Sequence, residues 1–152
     1  MIWGILLSLA IIGVDQLTKF LVYGTATQKI LGDFLWFEST LNTGVAFSMF
    51  KNNSFVFFII AIIASIIILY LIISKKYFYK KLEKFSLGLI LGGTISNAID
   101  RIIFKGVRDF IYLKFINFAI FNVADMAITI GAILMCISII FLRNEKNKND
   151  GT

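Results

Sequence analysis

From Phe55 to Ile73 the chain reads FVFFIIAIIASIIILYLII, an apolar run that only Ser65 interrupts. About 20 such residues make one helical crossing of a bilayer's hydrocarbon core. The whole chain carries the same bias. It has 152 residues, 59% of them hydrophobic, with a mean hydropathy of +0.87. A water-soluble fold of that size would have to hide nearly every side chain it owns. A bilayer removes that demand, so the expected fold class is a mainly α membrane protein.

Three more segments fit the same template: Ile2 to Val22, the glycine-rich stretch Phe85 to Phe104, and Val123 to Leu142. Residues 1–152 then form a single integral membrane domain with four transmembrane helices. The first segment lacks a Lys/Arg n-region and carries Asp15 and Lys19 inside its apolar stretch. It therefore reads as a retained anchor, although Gly24-Thr25-Ala26 is a weak cleavage pattern.

Orientation follows from the lysines. The link KKYFYKKLEK holds Lys75, Lys76, Lys80, Lys81 and Lys84, and the tail adds Arg143, Lys146 and Lys148. By the positive-inside rule both are cytoplasmic, and four spans put the N-terminus there too. The basic third loop, with Lys105, Arg108 and Lys114 against Asp109, is a mild objection. The clustered positive charge orients a membrane protein and does not build a nucleic-acid groove. In the two outer loops, DFLWFEST and FIYLKFINFAIF are aromatic and β-branched. They read as strands of a small extracytoplasmic β-sheet on the outer face.

With that topology, distant polar residues fall at one depth. Asp15 and Lys19 lie in the outer half of span one. Asn97, Asp100 and Arg101 lie near the outer end of span three, and Asn122 and Asp125 lie at the outer start of span four. Asp109 sits in the loop between them, while NTGVAFS supplies Asn42 and Gly44. Each ionisable residue in a span costs roughly 2.5–3.5 kcal/mol on insertion scales, so the cluster marks a functional site. Plainer roles stand beside that one. Asp15 with Lys19 serves equally as a structural ion pair, Asp100 with Arg101 as a helix-end pair, and Lys19 as a residue snorkelling to the interface. Asn122 and Asp125 fit the cap and first turn of a helix. Gly88, Gly92 and Gly93 suit close helix contact.

The chemistry is limited by what is missing. The chain has no His, and its one cysteine, Cys136, sits in an apolar run as an inert thiol. No metal or cofactor is implied. A nucleophile of the Ser48 or Ser96 type, with Lys19 as base, stays open. Carboxylates are the remaining tools. Two held close together share a proton, so one acts as base and the other as acid. The competing class is a non-enzymatic proton-coupled carrier or lipid-binding protein, for which acids at the midplane and an inverted repeat would be expected.

Five segments, DQLTK (Asp15–Lys19), NTGVAFS (Asn42–Ser48), GGTISNAIDR (Gly92–Arg101), VRDF (Val107–Phe110) and FNVAD (Phe121–Asp125), occur in the order found in one family. Across most of its length the chain resembles the lipoprotein signal peptidases, the bacterial signal peptidase II family. The resemblance implies an aspartic endopeptidase with Asp109 and Asp125 as its catalytic pair. It implies supporting or substrate-contacting roles for Asp15, Lys19, Asn42, Gly44, Asn97, Asp100, Arg101 and Asn122. Asn97 and Arg101 would contact or orient the substrate backbone, and Asn122 would hold the pair's geometry. The implied partners are membrane lipid and prolipoproteins whose cysteine carries a diacylglyceryl group, cut just before that cysteine by a monomeric enzyme of the bacterial cell membrane. Two positions depart from the family pattern, each adding bulk near the expected site: Ser96, where glycine is usual, and Val45, where alanine is common.

Overall fold

The computed structural model describes residues 2–44, 53–74 and 80–142. Val45, Ser48, Lys75, Lys76, Arg143, Lys146 and Lys148 lie outside the described residues. The elements run α1 (Ile2–Val22), β1 (Gln28–Leu31), β2 (Leu35–Asn42), α2 (Ser54–Ile73), α3 (Lys81–Phe104), β3 (Val107–Leu113), a 3-10 turn (Lys114–Ile116) and α4 (Val123–Ile137), which a π turn extends over Ser138–Leu142. Among the described residues four helices are long and apolar enough to cross a membrane, and the chain is a multi-pass membrane protein.

Helix α3 is longer than the apolar run that marks it in the sequence. The apolar run starts at Phe85, but the helix starts at Lys81. Hydropathy marks only the part of a helix that lies in lipid. Lys, Leu and Glu are good helix formers, and Glu83 reaches back to accept the Lys80 N–H at 3.1 Å, so the helix continues past the apolar stretch.

α3 is the central helix of the bundle, the most buried of the four. Its glycines allow that. A Cβ on Gly88 would stand 2.5 Å from the Gly4 carbonyl oxygen, and one on Gly92 would stand 2.8 Å from that of Ser8. On another side Gly93 abuts Ala124 of α4. The expected close-contact role of these glycines holds: small residues let backbones meet where lipid provides no hydrophobic force between helices. Ile72, Leu87 and Leu91 form the apolar centre, packed by Ile5, Ile68 and Met135. The outer faces, including Trp3, Phe20, Ile66 and Ile133, stay exposed, as lipid-facing side chains do.

The sheet is antiparallel in the order β1-β2-β3. It is joined to the C-terminal ends of α1 and α3 and to the N-terminal ends of α2 and α4. β1 was not anticipated in the sequence. Nor is FIYLKFINFAIF one strand: β3 begins earlier, at Val107, and stops at Leu113. A 3-10 turn and a left-handed Asn117 (φ 48°) follow. Phe115, Ile116 and Phe118 are exposed, so their apolar character reflects an outward face and not sheet pairing. The chain returns at Phe121, whose carbonyl accepts the Ile111 N–H at 2.8 Å and whose N–H donates to the Ile111 carbonyl at 3.1 Å.

That return pins the first turn of α4 against β3. A second device sits on β2. Phe37 pairs with Ile111 but Thr40 pairs with Asp109, so β2 carries one extra residue between them. Such a bulge re-aims the side chains beyond it. Past it, Asn42 pairs with Val107. Asp109, two residues along β3, shares that face.

Candidate active site

Asp109 and Asp125 line one cavity of about 680 Å³ at the sheet end of the bundle. Asp109 Oδ1 accepts from Asn122 Nδ2 at 2.6 Å, and its Oδ2 accepts from Asn42 Nδ2 at 3.1 Å. Asp125 Oδ1 accepts from Asn97 Nδ2 at 2.8 Å, and its Oδ2 accepts the Asn122 backbone N–H at 3.3 Å. Asn122 joins the two. Its Oδ1 accepts the Asp125 backbone N–H at 2.9 Å, closing a reciprocal capping box, while its amide nitrogen serves Asp109 and, at 3.2 Å, Asn97 Oδ1. The plain cap reading and the site reading of Asn122 are therefore both correct, through different atoms of one amide. Asn42 Oδ1 also accepts the Gly44 N–H at 3.1 Å, which orients that amide toward Asp109.

A second tier lies beneath, closed to solvent. Lys19, Asp15 and Asp100 are fully buried. Lys19 Nζ meets Asp15 Oδ2 at 2.7 Å, Asp100 Oδ2 at 3.2 Å and Asn97 Oδ1 at 2.9 Å. Arg108 grips Asp100 through its backbone N–H at 2.9 Å and Nη2 at 2.8 Å. Gln16 bridges them, accepting from Arg108 at 2.8 Å and donating to Asp100 at 2.9 Å. Asp15 Oδ1 accepts the Ala124 N–H at 2.8 Å, which ties α1 to the first turn of α4. Two carboxylates thus face two cations, the condition under which buried charge is tolerated.

The tiers meet at Asn97. Lys19 and Asn122 both donate to its oxygen, so its nitrogen must point at Asp125. Asp109 is 2% exposed. Burial pushes its carboxyl up from 3.8 to about 7, and the charge of Asp125 adds to that. Hydrogen bonds from Asn42 and Asn122 and the charge of Lys19 pull the other way.

Of the sequence-predicted residues, Asp109, Asp125, Asn42, Gly44, Asn97 and Arg101 line the cavity. Asn122 lies behind the two carboxylates. Asp15, Lys19 and Asp100 do not line it and act from the tier beneath. Lys19 does not snorkel, because two buried acids hold it. Asp100 does not pair with Arg101: Arg108 and Lys19 take it, and Arg101 Nη1 donates to the Asn97 carbonyl at 3.2 Å. Arg108, read in the sequence as loop charge, is buried and paired with Asp100. Ser96 adds no bulk at the cavity. It is fully buried between α1 and α3, where its Oγ donates to Asp15 Oδ2 at 2.7 Å and accepts from Gln16 at 3.0 Å. That donation engages its hydroxyl with an acid, not with Lys19. Gln16 and Arg108 were missed as site residues, though each stands beside a singled-out aspartate in the chain.

The sequence profile of a family described as signal peptidase (SPase) II matches residues 7–141. The chain is 40% identical over 150 residues to the lipoprotein signal peptidase of Listeria monocytogenes serotype 4a (strain HCC23), covering 94% of this chain and 96% of that relative. It is 40% identical over 146 residues to the lipoprotein signal peptidase of Shouchella clausii (strain KSM-K16), covering 93% and 95%. The fold superposes on a bacterial membrane enzyme solved by the in meso method at 2.3 Å, with a TM-score of 0.84 and 32% identity over 97% of this chain and 92% of that one.

Proposed function

Since the chain belongs to the signal peptidase II family, we propose that it is an aspartic endopeptidase that removes signal peptides from prolipoproteins. Its substrates carry a diacylglyceryl-modified cysteine, and it cuts just before that residue. The observation that carries the reading is the pair of carboxylates, Asp109 from β3 and Asp125 from α4, bridged by Asn122 on one cavity.

In the proposed reaction one carboxyl of the pair is ionised and the other holds the shared proton, and the steps are written with Asp109 as the acid and Asp125 as the base. Water attacks the scissile carbonyl carbon while Asp125 takes a proton from the water. Asp109 gives its proton to the carbonyl oxygen, which yields a neutral gem-diol. The C–N bond then breaks. Asp125 passes its proton to the leaving amine, the nitrogen of the lipidated cysteine, and Asp109 recovers one from a diol hydroxyl. Both groups return to their starting states. The pair titrates as a unit.

Arg101 and Gly44, on the cavity wall, are the groups proposed to touch the substrate backbone. Asn42, Asn97 and Asn122 hold the carboxylates, and Lys19, itself held by Asp15 and Asp100, holds Asn97 in turn. The proposed monomer has both termini in the cytoplasm and its cavity near the outer surface, where the lipidated cysteine can meet it with its acyl chains still in the bilayer. The test is cleavage of a synthetic diacylglyceryl-modified prolipoprotein peptide by purified protein in detergent with EDTA. A proton-driven carrier has no gradient there and would do nothing. Cleavage before the cysteine, lost in Asp109→Asn and Asp125→Asn, is the expected result. Turnover near wild type in either folded variant overturns the assignment.

A further inference from the structure

Arg101 also forms part of the wall of a second groove, of about 470 Å³, between the first turn of α2 and the last turn of α3. Thr43, Ser54, Phe55, Ile102 and Lys105 line it as well. We propose that this groove binds the phosphodiester of a membrane phospholipid, with Ser54, the N-terminus of α2 and Lys105 as its oxyanion ligands.

Three independent features converge. Ser54 is only 8% exposed, yet among the described residues its Oγ has no hydrogen-bond partner. A buried hydroxyl left unpaired is costly, and an acceptor oxygen in the groove would satisfy it. Ser54 also opens a 20-residue helix whose N-cap residue, Asn53, makes no capping bond through its side chain. The first-turn N–H groups of a helix lack intrahelical partners and, with the helix dipole, favour an anion. Lys105 closes α3 in the left-handed conformation (φ 56°). It forms no salt bridge among the described residues, in contrast to Lys19 and Arg108.

The flanks select a lipid over a soluble ion. Phe55 is 67% exposed and Ile102 54%, so the rim is apolar on both sides. The groove lies where two of the candidate spans end, at the level where headgroups meet acyl chains. A phosphate there would have cations and N–H donors on one side and room for its acyl chains along α2 and α3 on the other.

The inference does not depend on peptidase activity, and its test reads binding alone. Full-length protein in nonionic detergent would be titrated with phosphatidylglycerol and the retained lipid counted by native mass spectrometry. Diacylglycerol with the same chains and inorganic phosphate would be run in parallel. One phospholipid should be retained where diacylglycerol is not, and inorganic phosphate at the same concentration should not displace it. Lys105→Gln should weaken retention about fivefold, the effect of one basic residue at a lipid surface. Ser54→Ala should weaken it too and Ser54→Thr restore it, with Lys105→Arg as the charge-preserving control. Equal retention of diacylglycerol would mean a groove for acyl chains only. Displacement by inorganic phosphate would mean a soluble-ion site, and unchanged retention in both loss variants would place the lipid elsewhere. Each of these three results overturns the proposal.

Discussion

Asp109→Asn should make the protein more stable at alkaline pH while abolishing the proposed activity. Asp109 is 2% exposed, and its carboxyl is raised from 3.8 to about 7, first by burial and then by the charge of Asp125. The folded chain keeps this proton up to about pH 7, whereas the unfolded chain releases it near 3.8. The unfolded state therefore binds fewer protons between those values, and stability falls as pH rises through that window. The displacement corresponds to about 4 kcal/mol of stability lost by pH 8. Asparagine is neutral at every pH and escapes this loss. It also replaces one acceptor oxygen with an NH2 group facing the Asn42 or Asn122 amide, at a cost of about 1 kcal/mol for one hydrogen bond. The net gain at pH 8 is about 3 kcal/mol, and at pH 3.5 the variant should be about 1 kcal/mol less stable than wild type. For a chain of this size the gain raises Tm by roughly 6–12 °C. Thermal unfolding in detergent at both pH values measures it. A Tm difference of the same sign and size at pH 3.5 and pH 8 would refute a charge-burial origin, as would a variant less stable than wild type at pH 8.

The same carboxyl sets the pH dependence of the proposed reaction. With Asp109 as acid, kcat/KM should fall by about tenfold per pH unit well above pH 7, and a rate still climbing at pH 9 would assign the proton elsewhere. Arg108→Met removes the side-chain hydrogen bonds from Nε and Nη2 to fully buried Asp100. It leaves the backbone one, which any residue but proline can make. It should therefore destabilise by about 3–5 kcal/mol in thermal unfolding, and a loss below about 1 kcal/mol would show that Lys19 and Gln16 suffice. Ser96→Ala deletes the donor to Asp15 Oδ2 while Lys19 and the Ala124 N–H remain. A loss of about 1.5–3 kcal/mol is expected, with the KM for substrate unchanged because Ser96 does not reach the cavity.

Much of the fold was legible because hydropathy and helical period are local properties. Four spans could be read from runs of apolar residues, and the spacing of Asp15 and Lys19 was enough to put them on one helical face. The failures also have local causes. Lys81 to Lys84 is helical but not apolar, so a hydropathy boundary misses it. Phe115 to Phe118 is apolar but not extended, because those side chains face outward and Asn117 turns the backbone left-handed. The candidate site was legible to the level of motifs. Gln16 and Arg108 escaped because a residue beside an aspartate in sequence declares nothing about which buried carboxylate it will meet in space.

Apolar run lengths alone require that this chain live in a membrane, and they limit how many times it can cross. The positions of the charged and amide residues along those runs gather the polar groups toward one end of the bundle, and the order of the motifs supplies the family. The pairings came only with the folded chain: Asp100 with Arg108 and not Arg101, Lys19 with Asn97, and Asn122 with both candidate carboxylates. Those pairings depend on how far one element is rotated against another. Here that rotation is set by the extra residue in β2, by Phe121 returning to Ile111, and by glycines that let α1 and α4 close on α3. A side chain's own neighbours in sequence carry no record of such long-range contacts, so which polar groups satisfy one another is decided when the helices and the sheet pack together.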